Sequence, residues 1–69
     1  MINKSRFVSR LGILLEDVDR LDIYLFTYEK SESGDEYVIM KFKNGYEKRV
    51  NITGDSELGI IQDVIKHLD

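Results

Sequence analysis

The chain has one histidine, His67, and no cysteine, which sets narrow limits on nucleophilic and metal chemistry. A nucleophile needs a base within hydrogen-bond reach and a third group to orient that base, and no such set can be assembled around His67. Its place near the end of a helical segment suits a partly exposed imidazole, favoured there by the carbonyl end of the helix dipole. Paired carboxylates are plentiful, with 13 Asp and Glu in 69 residues, but a domain this small leaves little room for a cleft in which a pair could work. Asp17-x-Asp19-x-x-Asp22 has an acidic spacing like the start of a calcium loop, yet position 21 is leucine and the glycine and distal glutamate are missing. Gly54 before a helix start could present N–H groups to phosphate, but Asp55 follows it and its carboxylate would occupy and repel that site. The expectation is a non-enzymatic protein without cofactor or metal.

Residue types suited to binding are better represented. Tyr24, Phe26 and Tyr28 alternate with Ile23, Leu25 and Thr27, and Tyr37, Ile39, Lys41 and Lys43 share a period of two further on. If Ile23 and Leu25 point inward, Tyr24, Phe26 and Tyr28 join Tyr37, Ile39, Lys41, Lys43, Glu47, Arg49 and Asn51 on one outer face, with Tyr24, Tyr28, Tyr37, Lys41 and Arg49 as its candidate contacts. Aromatics interleaved with cations can stack single-stranded nucleic acid, and tyrosine and arginine equally anchor protein interfaces. The bland alternative is that these tyrosines face the core or merely cover a sheet. A second candidate is a ridge on the first helix, Arg6, Arg10 and Ile13 with Asp17 and Arg20. Lys4, Arg6 and Arg10 lie in the amino-terminal half of that segment and Glu16, Asp17 and Asp19 at its carboxyl end, an order that opposes the helix dipole. A partner-contacting ridge explains it; so does a solvated face with Glu16 paired to Arg20 at i+4. Glu29, Glu32, Asp35 and Glu36, with the acidic residues near Asp19, could mimic nucleic acid, but they read more simply as a soluble loop.

These side chains need elements to hold them. Phe7, Leu11, Leu14, Leu15 and Val18 recur on one face of a 3.6-residue helix, predicting a helix from Asn3 or Ser5, either able to cap it, to about Arg20. A strand is predicted over 22–29, a polar hairpin loop over 30–35, a second strand over 36–42 and a third over 46–52. Asn44-Gly45 marks the second turn. A two-residue turn would set charges beside apolar residues, whereas a three-residue loop with Gly45 left-handed pairs Phe42 with Tyr46, Met40 with Lys48 and Val38 with Val50. The bulged form is therefore expected, leaving Val38, Met40, Phe42, Val50 and Ile52 beneath the helices. A last helix begins near Asp55 or Ser56 and buries Leu58, Ile61, Val64, Ile65 and Leu68. The fold class is α+β, α-β-β-β-α, with a three-stranded antiparallel meander packed on two helices in a single compact domain, residues 1–69.

With 42 % hydrophobic and 33 % charged residues the chain should fold rather than stay disordered. A net charge of −3 excludes the diffuse basic field of a non-specific nucleic-acid binder. Small size without disulfide or metal makes self-association a route to stability, so a homodimer is weighed equally with a monomer. Residues 1–5 lack an apolar signal region, and no apolar run nears the roughly 18 residues that span a bilayer, so a cytoplasmic address without a membrane partner is expected.

The stretch MKFKNGYEKRVNITGDSELGIIQDVIKHL, residues 40–68, resembles small phage and prophage proteins of low-GC Gram-positive bacteria, through its Asn-Gly strand pair, V-N-I-T-G-D-S and Ile/Val-rich terminal helix. The resemblance implies a mobile-element protein acting in a bacterial host cell, a group that includes anti-CRISPR inhibitors, and assigns no residue a role. The function expected is a protein-binding module that inhibits a host defence nuclease or another nucleic-acid enzyme by occluding its surface. The alternatives are a small single-stranded nucleic-acid binder and a structural or dimeric accessory protein.

Overall fold

Asn3 opens the first helix: its Oδ1 accepts the Arg6 N–H at 3.1 Å, satisfying one of the donors a helix N-terminus leaves free. The computed structural model describes residues 3–68. Along it run α1 (Lys4–Glu16), β1 (Ile23–Lys30), β2 (Glu36–Phe42), β3 (Glu47–Asn51) and α2 (Glu57–Leu68), with a 3₁₀ turn Asp19–Leu21 ahead of β1. The α-β-β-β-α order and the α+β class are those expected. The strands pair in the order β1-β2-β3, antiparallel throughout.

The Asn44-Gly45 turn takes its bulged form. Phe42 N–H donates to the Tyr46 carbonyl at 2.9 Å and Gly45 N–H to the Phe42 carbonyl at 3.0 Å, with Gly45 at φ 88°. Met40 then faces Lys48 and Val38 faces Val50, which keeps one face of the hairpin apolar. Both helices cover that face. Val8 and Leu11 from α1 and Ile60 and Val64 from α2 join Ile23, Phe26, Val38, Met40, Val50 and Ile52 in one buried cluster, and the opposite face of the sheet carries no helix. Lys48 reaches the end of α2, its Nζ donating to the His67 carbonyl at 2.7 Å, where a cation meets the negative end of the dipole.

The expectations for β1, α1 and α2 are each corrected. In β1 the register steps from Ile23 opposite Phe42 to Leu25 opposite Lys41, so Tyr24 is the extra residue of a β-bulge. Ile23, Phe26 and Tyr28 consequently face the helices and Leu25 and Thr27 face outward. Asp22 takes a left-handed conformation at φ 53°, one that aspartate tolerates better than most residues. Its carbonyl accepts Lys43 N–H at 2.8 Å, pinning the strand start to the end of β2, and the bulge absorbs the offset.

Next, α1 ends at Glu16 rather than Arg20, because Val18 leaves the helix at φ −92°, ψ 93°, and the 3₁₀ turn that follows packs Leu21 against the core. Arg20 lies outside α1, so the i+4 pair with Glu16 does not form. The buried side of α1 runs through Val8, Leu11 and Gly12, and Leu14 and Val18 are exposed. Gly12 sets that rotation: a Cβ there would stand 2.9 Å from both Cβ and Cγ of Phe26, so the sheet approaches α1 at its one residue without a side chain. Likewise α2 buries Ile60 and Val64 with Ile61 and Leu68 partly covered, while Leu58 and Ile65 are exposed. Among the described residues no helix is long and apolar enough to cross a membrane.

Candidate functional site

The uncovered face of the sheet is built in three cross-strand rows. Register places Leu25, Lys41 and Glu47 in one row, Thr27, Ile39 and Arg49 in the next, and Glu29, Tyr37 and Asn51 in the third. Arg49 lies over the Tyr37 ring, its guanidinium carbon 5.0 Å from the centroid, and reaches Glu29 at 4.0 Å. Ile39, in the middle row, is only 5 % exposed although no helix covers it and it stands apart from the core cluster. Tyr24, lifted out of the ladder by the bulge, is 60 % exposed at the rim.

Of the sequence-predicted site residues, Tyr24, Tyr37, Lys41 and Arg49 therefore share this face or its rim, and Tyr28 does not. Tyr28 points to the helix side, packs on the core and donates its hydroxyl proton to Glu36. Arg6, Arg10 and Ile13 are exposed on α1, on the far side of the helical layer from the sheet's open face. Ile39 lies on the open face as expected, whereas Leu25 and Thr27 belong to it and were not expected there. Sequence carries one signal for them: strict alternation backward from Tyr37, Ile39 and Lys41 requires their β1 partners to be outward, which only a bulge near Tyr24 satisfies while Ile23 stays buried.

Glu36 was expected among the acidic loop residues, but it is buried and structural. Lys4 Nζ donates to its two carboxylate oxygens at 2.9 and 3.1 Å, and Gly54 N–H donates at 3.1 Å. The Tyr28 hydroxyl, the Lys4 ammonium and the Gly54 amide together hold the Glu36 carboxyl down to about 2. In return that hydrogen bond, with burial and the negative charge, pushes the Tyr28 hydroxyl up to about 12. Close by, the carboxyls of Asp55 and Asp63 face each other, and that contact, followed by burial, raises Asp55 above the usual aspartate range. Asp55 Oδ2 is buried without a hydrogen-bond donor, and protonating Asp55 makes that carboxyl a donor itself.

A raised carboxyl favours the native state when protonated, so that stability is lost as pH rises through its folded value. Asp55→Asn, which supplies the missing donor without the proton, is expected to raise stability at pH 7 by about 1 kcal/mol and to lose that advantage in acid. Chemical denaturation at both pH values checks this, and a variant less stable than the parent at pH 7 would discount the carboxyl repulsion.

His67 is exposed, its Nδ1 2.8 Å from the Asp63 carbonyl one turn back, which is a helix-terminal placement. Among the described residues no group of three or more His, Asp and Glu is placed to hold a metal ion. No family model matches the chain, and no curated protein or solved structure matches it either.

Proposed function

We propose that the protein is a non-enzymatic binding module that occupies the surface of a partner protein with the open face of its sheet. One observation carries this: among the described residues no helix covers a sheet face that holds a preformed Tyr37–Arg49 stack beside an Ile39 only 5 % exposed. Tyrosine and arginine are the residues that anchor protein interfaces, and a pair already held in place gives up little side-chain freedom on binding. Charge on the face is mixed, with Lys41 opposite Glu47 and Arg49 beside Glu29. That arrangement weakens the pull on phosphates that a single-strand platform requires, and so favours a protein partner over nucleic acid. The partner class we carry forward from the phage-protein resemblance is a host defence nuclease or another nucleic-acid enzyme, inhibited by occlusion.

The test uses the tagged protein and its Tyr37→Ala/Arg49→Ala variant as baits in a lysate of a low-GC Gram-positive host, each split into nuclease-treated and untreated halves. We expect a protein that survives nuclease treatment on the parent bait and binds the variant about 100-fold more weakly or worse, with the circular dichroism of the variant unchanged. Equal retention by the folded variant would remove the sheet face from consideration. Recovery of nucleic acid alone, lost on treatment, would put the single-strand platform first.

A further inference from the structure

We propose that α1 pairs antiparallel with α1 of a second copy of this chain, about a two-fold axis midway between Ile13 and Leu14. These two side chains are 64 % and 65 % exposed, on a helix side that no other element covers among the described residues. Next to Leu14 opens a groove of about 280 Å³ lined by Phe7, Arg10, Leu11, Leu14 and Ile61, almost wholly apolar. The occupant is identified by charge. Neither the first turn of α1 carries an acid nor its last turn a base; Arg6 comes early, Arg10 at the middle and Glu16 and Asp17 late, and among the described residues none of the four is in an ion pair.

For an isolated helix that order is unfavourable. Against an antiparallel copy of itself it becomes complementary, because Arg10 of each copy meets the acidic carboxyl end of the other. With a rise of about 1.5 Å per residue, an axis at that midpoint sets Arg10 of each copy level with Asp17 of the other, both about 5 Å along the helix from the centre. Ile13 of one copy then meets Leu14 of the other at the mouth of the groove. The contact is isologous and closes on itself.

A stable interface needs about 1,000 Å² in total, or roughly a tenth of the 4875 Å² surface from each copy. Residues 11–16 of the two helices lie level with each other and residues 4–10 of each face the turn after α1 of the other, which supplies the lower end of that, so dissociation in the micromolar range is expected. The surface is separate from the open sheet face, and the Tyr37→Ala/Arg49→Ala variant should dimerise like the parent.

Sedimentation velocity between about 1 µM and about 1 mM tests the pairing. The parent is expected to pass from monomer to dimer. Arg10→Asp and Asp17→Arg are each expected to weaken dimerisation at least about 10-fold, by facing like charges twice across the axis. Mixed together, the two single variants should form a heterodimer, and the Arg10→Asp/Asp17→Arg double variant should recover the parent's self-association. Asp17→Arg improves the match of α1 to its own dipole, and Arg10 is exposed at mid-helix, beyond the reach of either terminal turn, so thermal unfolding of both dilute monomers should stay close to the parent's or rise, which separates loss of pairing from loss of fold. A parent that stays monomeric over the whole range, single variants that dimerise like the parent, or a mixture that gains nothing would each overturn the proposal.

Discussion

Glu36→Ala is expected to cost on the order of 3–5 kcal/mol, because removing one member of a buried charged network leaves the others without acceptors. Lys4, Tyr28 and Gly54 all donate to that one carboxylate, and they come from α1, β1 and the β3–α2 connection, so one side chain ties three segments together. A domain of this length holds roughly 3–10 kcal/mol in all, and the variant should be largely unfolded at moderate temperature. Glu36→Gln retains a side-chain oxygen as acceptor for Tyr28 but loses the charge, and a smaller loss of about 1–3 kcal/mol is expected. The pH dependence separates the charge from the shape. With its carboxyl held down to about 2, Glu36 contributes stability that is complete above its unfolded value near 4.5 and is lost as pH falls towards 2. The ionised form should account for on the order of 2 kcal/mol of the parent's loss over that window, and Glu36→Gln should lack that share of the acid limb. Tyr28 works in the opposite sense: raised to about 12, it contributes stability that is full below its ordinary value and lost as pH climbs towards 12. Urea titrations monitored by circular dichroism at a series of pH values measure both limbs. Equal acid sensitivity in the parent and in Glu36→Gln would remove Glu36 from the account.

None of that network was legible in the sequence. The donors lie 32, 8 and 18 residues away from Glu36, and an acidic residue following a Ser-Glu-Ser-Gly-Asp loop looks like part of the loop. What was legible had a local physical cause. Asn44-Gly45 could be assigned its bulged turn because only that register keeps Val38, Met40 and Val50 on one face, and the outer positions of Tyr37, Lys41 and Arg49 followed from it. The Asn3 cap likewise needs only its own segment. β1 could not be oriented this way, because apolar and aromatic residues occupy both of its faces and either side could be buried; the bulge at Tyr24 is fixed by Asp22 bonding to Lys43 across the sheet. Tyr28 was lost from the candidate site for that reason. The helices misled by a related route. Their apolar residues span more than one face, and the choice among the faces is made by what the sheet offers opposite. In α1 that choice turns on Gly12.

Gly12→Ala is expected to destabilise the protein by about 1–3 kcal/mol, against the gain of about 1 kcal/mol that the same exchange gives in an open helix. The added Cβ would stand 2.9 Å from Phe26 Cβ and Cγ and 3.0 Å from the Phe26 backbone nitrogen. The last contact decides the sign, since a ring can rotate away but a strand backbone in the middle of its ladder cannot, so α1 as a whole must lift from β1. Phe26 is 3 % exposed and Val8 fully buried, and both lose packing when the helix moves. Gly59 in α2 supplies the control. Its added Cβ would meet Asp55 Cβ and Cγ at 3.3 Å and Ser56 Oγ at 3.5 Å, all side-chain atoms at a helix entry that can yield by a few tenths of an ångström. Gly59→Ala should therefore be neutral or stabilising, by up to about 1 kcal/mol. For a domain of this size the Gly12 variant should melt about 5–20 °C below the parent, while the Gly59 variant melts at or above it. Thermal unfolding of the two variants side by side reads the difference directly. A Gly12→Ala protein as stable as the parent would mean that α1 can back away from the sheet at no cost, and the close approach at Phe26 would no longer explain why Leu14 is turned outward beside Ile13.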